Sequence, residues 1–109
     1  FFNLVVSPEA MAIHRMMCAN PSEKLGTLFW QAGPQVISDH MENFLRAEIA
    51  EGALDIPDTH RAAKQFFCLL KGEPHARLSY GCCCPMTQKE VDAHVDSVVD
   101  VFLRAYSPR

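Results

Sequence analysis

Apolar residues recur at helical spacing through most of this chain. Val91, Val95, Val98, Phe102 and Ala105 fall three or four apart, Val99, Leu103 and Tyr106 widen the stripe, and Lys89, Asp92, Asp96 and Asp100 take the other side. Both ends of this helix are written locally. Thr87 followed by Glu90 forms a capping box, in which hydroxyl and carboxylate take unpaired backbone N–H groups, and Pro108 stops the helix. His94, lying between Asp92 and Asp96, is read as part of a solvated face, because neighbours two apart on a helix diverge.

Four more helices precede it. Phe1 to Val6 is apolar and reads as the tail of an earlier helix or linker. Ser7-Pro8-Glu9 opens a helix to about Asn20, with Ser as cap and Pro at the first helical position. Ala10, Met11, Ala12, Ile13, Met16, Met17 and Ala19 leave it apolar nearly all round, which predicts burial on several sides. Ser22 caps a short helix through Leu25, Leu28, Phe29 and Trp30, closed by Gly33. Gly33-Pro34 opens the next, with Val36, Ile37, Met41, Phe44, Leu45 and Ile49 as its buried face and Glu42, Arg46, Glu48 and Glu51 towards solvent, until Gly52. Asp58 caps a helix carrying Ala62, Ala63, Phe66, Phe67, Leu69 and Leu70 and ended by Gly72, with apolar columns for two neighbours. Residues 73 to 86 are the least regular, with room for a short helical turn or extended piece around Ala76 to Tyr80. No strand pair or repeat is legible. The expectation is an all-α bundle of about five helices forming one domain over residues 1–109.

Charge narrows the function. With 109 residues and a net charge of -3, and without a cluster of Lys and Arg interleaved with aromatics, the chain has no phosphate-binding footprint. No apolar run is long enough to cross a bilayer, so no membrane partner is expected. Five cysteines, three adjacent at Cys82, Cys83 and Cys84, do not make a secreted disulfide framework; reduced thiols in a cytoplasm are the simpler account. Three consecutive cysteines cannot comfortably face one tetrahedral ion, so neither a metal nor any cofactor is expected. A thiol redox or metal-sensing protein, or a small enzyme using His14 or the triplet, stands as the rival reading. No phosphate loop, nucleophile elbow or zinc-protease spacing occurs, and no catalytic residue is assigned.

The order of the pieces resembles a known family. Ile13-His14-Arg15-Met16, then Leu25-Gly26 leading into Phe29-Trp30-Gln31-Ala32-Gly33-Pro34, then Ala47 to Leu54, then Ala62-Ala63-Lys64-Gln65-Phe66 with Leu69-Leu70-Lys71-Gly72, and finally Phe102-Leu103-Arg104-Ala105-Tyr106 resemble the C-terminal domain of TetR/AcrR-type transcriptional regulators of the AefR-like branch. The chain departs from that pattern in Asn20-Pro21-Ser22-Glu23-Lys24-Leu25, where a Phe-Pro usually precedes the Glu-Leu, and in its cysteine triplet, where a plain loop is usual.

The resemblance implies a non-enzymatic regulatory domain, in most cases part of a repressor, that binds an effector and forms a homodimer. Operator DNA would be read only by an N-terminal helix-turn-helix domain that this chain lacks. The last two long helices of each subunit would build an intersubunit four-helix bundle, with Phe67, Leu70, Val91, Val95, Val98 and Phe102 at the dimer interface. The earlier helices would enclose a cavity. Met11, Met17, Phe29, Trp30, Met41, Phe44 and Phe66, an adaptable apolar set, are candidates to line it for a small hydrophobic or amphipathic effector, with His14 to orient a polar end.

Overall fold

The computed structural model describes residues 2–82 and 86–108. They form a short turn of helix, α1 (Phe2–Val5), and five long helices, α2 (Pro8–Ala19), α3 (Glu23–Ala32), α4 (Pro34–Ala50), α5 (Thr59–Ser79) and α6 (Gln88–Tyr106), with no strand among them. The fold is all-α, as the periodicity predicts.

Local chemistry sets the helix ends. The side chains of Ser7, Ser22 and Asp58 accept from the backbone N–H groups of Ala10, Leu25 and Arg61, and Thr87 and Glu90 complete the capping box of α6. Gly33 ends α3 and begins α4, so those two helices meet at a corner with no linker. The backbone N–H bond from Arg61 is the main cause holding the Asp58 carboxyl below its usual pKa.

Two small cores hold the helices together. Leu45 of α4, Ala62 and Ala63 of α5, Phe102 of α6 and the loop residues Leu54 and Ile56 form the first. The Asp55 N–H donates to the Tyr106 carbonyl at 2.8 Å, tying that loop to the end of α6. Phe2, Leu70, Val91 and Val98 form the second, with Phe66 reaching both. Phe66 meets Phe102 edge-on with centroids 5.3 Å apart, and meets Phe67 likewise at 5.6 Å.

The molecule is a slab of 44 × 36 × 15 Å. Helices pack about 8–10 Å apart, so the thin dimension holds at most two of them and none can be enclosed all round. Its radius of gyration, 15.5 Å, exceeds the roughly 13 Å of a compact chain of this length.

This flatness corrects several expectations. Helix α2 is not buried on several sides: only Met11 is fully buried, Ala10, His14 and Met17 are half-buried, and Ile13 and Met16 stay exposed because α2 lies chiefly against α1 and α5. No residue of α3 is buried, and its stripe of Leu25, Leu28 and Phe29 faces solvent. On α4 the covered face runs through Ser38, Glu42 and Leu45, while Val36 and Phe44 are exposed. Phe44 lies about 100° round the helix from Leu45, on a side left uncovered. Glu42 is therefore inside, between Arg46 Nη2 and His60 Nδ1, each at 3.4 Å.

Gly72 does break α5, at φ 43° and ψ -146°, but the chain resumes as helix through Ser79. That second piece lies where a short turn was expected. His94 is likewise no solvated residue: it is half-buried and bonds the Leu70 carbonyl.

Candidate functional site

Two hollows stand out on the slab. The larger, ≈ 580 Å³, opens where α1, α4, α5 and the first half of α6 meet. Phe2 of α1, Met41 of α4 and Phe66, Phe67 and Leu70 of α5 give it an apolar lining that Val91 and Val95 of α6 continue. Its polar lining residues are Asn3, Gln88, Asp92 and Asp96. The volume is in the range of small-molecule sites. The second hollow, ≈ 530 Å³, lies between the end of α2 and the start of α3 and includes Met17, Cys18 and Phe29.

The expected ligand residues are thus dispersed. Met41 and Phe66 share the larger hollow, while Met17 and Phe29 share the smaller. Met11 is buried within the chain, Phe44 is exposed on α4, and Trp30 lies under the Lys64 ammonium, 5.6 Å from its ring centre. Lys64 also reaches Ser38 Oγ at 3.4 Å, which links α3, α4 and α5.

His14 faces neither hollow. Its ring stands edge-on to His75 at 4.7 Å, and its Nε2 is 3.8 Å from Cys18 Sγ. Burial lowers the pKa of His75, helped by the Lys71 ammonium and by His14. Arg15, next to His14, donates to the Leu78 carbonyl and ties α2 to the second piece of α5. Among the described residues no group of three or more His, Cys, Asp or Glu is placed to hold a metal. Cys82 is free and exposed, and Cys83 and Cys84 lie outside the described residues.

Of the residues expected at a dimer interface, Leu70, Val91, Val98 and Phe102 are buried within the chain's own packing of α5 on α6. Phe67 and Val95 are half-buried beside the larger hollow. The large apolar residues that these two helices leave exposed are Leu69, Val99, Val101 and Leu103.

One structural junction escaped the sequence reading although its signal was there. Pro74 has no N–H, so the donor that the Leu70 carbonyl would ordinarily have four residues on is missing. His94 Nε2 supplies one from α6 at 2.6 Å, which fixes the proton on that nitrogen because a carbonyl only accepts. The same ring contacts Phe2, centroids 5.1 Å apart, so one imidazole joins α1, the bend in α5 and α6 next to the larger hollow.

Among the described residues no helix is long and apolar enough to cross a membrane. No curated protein matches the chain. Three solved structures share its fold. The flavonoid-responsive regulator FrrA is 24% identical over 99% of this chain and 56% of its own, with a TM-score of 0.86. A TetR-family transcriptional regulator from Mesorhizobium loti is 19% identical over 98% of this chain and 54% of its own, at 0.89. One from Pseudomonas syringae is 20% identical over 99% and 55%, at 0.72. The chain therefore spans a little over half the length of the structures it matches. A family profile described as the AefR-like transcriptional repressor C-terminal domain matches residues 1–108, so this chain belongs to the TetR-family regulators as a C-terminal domain of the AefR-like type.

Proposed function

We propose that this domain binds a small hydrophobic or amphipathic effector in the larger hollow, pairs with a second copy through α5 and α6, and has no catalytic activity. The observation that carries the reading is the hollow itself: an open concavity with a mostly apolar lining from four helices, in a domain of a regulator family. Few polar groups line it, so a sugar or phosphate would lose more hydration than the site returns. The relative FrrA is by name responsive to flavonoids, which is in keeping with an aromatic ligand. Phe2 and Asn3 put α1 in the wall, so an occupant would bear directly on the first helix of the domain. In the longer regulator, a preceding DNA-reading domain would carry the operator contact, and the chain itself, at net charge -3, would not retard DNA.

The dimer rests on exposed apolar residues of the last two helices. Leu69, Val99 and Leu103 are available to a partner, and burying an apolar side chain of this size contributes about 1.5–3 kcal/mol. Sedimentation of the chain at micromolar concentration should give a dimer, and Leu103→Glu should give a folded monomer. Val98→Glu would instead unfold the chain, because Val98 belongs to its own core. A wild-type monomer at that concentration refutes the dimer. Thermal melts with a set of apolar aromatic compounds test the effector: a bound compound raises the melting temperature by mass action, and Val95→Trp, which fills the hollow, should remove the rise.

A further inference from the structure

We infer that the larger hollow selects a lipophilic cation. The inference rests on the reading of that hollow as an effector site and adds the charge of the ligand. Asp92 and Asp96 lie one helical turn apart on α6 and both border the apolar lining. Neither takes part in an ion pair among the described residues, and no Lys, Arg or His is among the residues lining the hollow. Gln88 Nε2 donates to Asp92 Oδ1 at 2.8 Å, which holds one carboxylate in place without neutralising it.

The hollow thus combines an apolar lining with two carboxylates that no ion pair among the described residues neutralises. An anionic ligand seated on Met41, Phe66 and Val95 would bring its charge against both carboxylates. A neutral one would leave them unused. A cation with an apolar body satisfies both parts, because its hydrocarbon displaces water from the lining while its charge is drawn to the carboxylates.

Tetraphenylphosphonium and tetraphenylborate, near-identical in shape and opposite in charge, separate this from mere apolar binding. By equilibrium dialysis of the chain at low salt, the phosphonium should bind at least about tenfold more tightly than the borate, since one such pair of charges at partial screening is worth a factor of that order. Asp92→Asn with Asp96→Asn should bring the ratio close to one. Asp39→Asn with Glu9→Gln, which change the net charge equally but lie on α4 and α2 away from the hollow, should leave it unchanged. Circular dichroism melts of each variant confirm that folding is retained, and either single change, Asp92→Asn or Asp96→Asn, serves if the pair misfolds. Borate binding as tightly as phosphonium, or a ratio that the two Asn changes leave unmoved, overturns the inference. A neutral probe, N-phenyl-1-naphthylamine, distinguishes the two failures. If it binds and Val95→Trp expels it while the ions do not differ, the site stands and its charge selectivity is wrong; if neither it nor either ion binds, the effector reading fails with it.

Discussion

His94 offers the sharpest test of how this fold is joined, because three elements meet on one ring. Its Nε2–H supplies the carbonyl of Leu70, a residue only 5% exposed, and its ring contacts Phe2. Replacing it by Phe keeps a ring for Phe2 but removes the donor. The loss should be about 1–3 kcal/mol, the range for a buried polar group deprived of its partner. His94→Ala also gives up the aromatic contact, worth about a further 0.5–1.5 kcal/mol. His94→Gln, which has an amide N–H that can reach the carbonyl, should recover part of the hydrogen bond and lie between wild type and Phe. Urea unfolding followed by circular dichroism measures all three, at one fixed protein concentration because dimerisation would otherwise add a concentration-dependent term. A His94→Phe variant within about 0.5 kcal/mol of wild type would show that water serves the carbonyl equally well, and the reasoning would fail.

Two further outcomes follow from the same bend and its neighbour. Gly72→Ala should cost about 1–3 kcal/mol, from backbone strain at its positive φ of 43°, since an added Cβ meets only ordinary contact with His94 Cε1 at 3.6 Å; a stable variant in urea unfolding would contradict this. His75 has its pKa lowered below the ordinary 6.5, chiefly by burial, so the unfolded chain binds its proton first: stability should be whole above about pH 6.5 and decline as pH falls below it towards the lowered folded value, and His75→Gln should flatten that acid limb of a melting-temperature profile.

What the sequence disclosed follows from the reach of each signal. Ser7-Pro8, Ser22, Asp58 and the Thr87 and Glu90 box were legible because a cap is satisfied within three residues, whatever the rest of the chain does. The inner faces of α5 and α6 were legible because each helix finds the other as its neighbour, and Leu70, Val91, Val98 and Phe102 are buried where the stripe puts them. The stripes of α2 and α3 have the same periodicity and yet remain uncovered, since periodicity says that a face is apolar and not what lies against it. Glu42 is buried and meets His60, eighteen residues away, and nothing in its own helix announces this. The candidate site was legible only in part for a related reason. Apolar character picked out Met41 and Phe66, but the hollow also needs Phe2 and the two aspartates, whose closeness depends on how α1 and α6 are placed on α5.

Helix α6 explains how one short chain can serve both proposed roles. Its stripe of Val91, Val95, Val98 and Phe102 faces the chain's own core, while Asp92, Asp96, Val99 and Leu103, spaced four, three and four apart, form a second stripe beside it. That second stripe changes character halfway: its first two positions are carboxylates at the hollow, and its last two are exposed apolar side chains. A second copy laid on the apolar half could not spread over the acidic half without losing the hydration of those carboxylates, so the proposed interface ends where the hollow begins and leaves the hollow open. The whole stripe spans about 16 Å of a single unbroken helix, too short and too rigid for the two sites to be independent if α6 shifts. Whatever factor an effector applies to dimer affinity, dimerisation must then apply to effector affinity, because the two equilibria close one thermodynamic cycle.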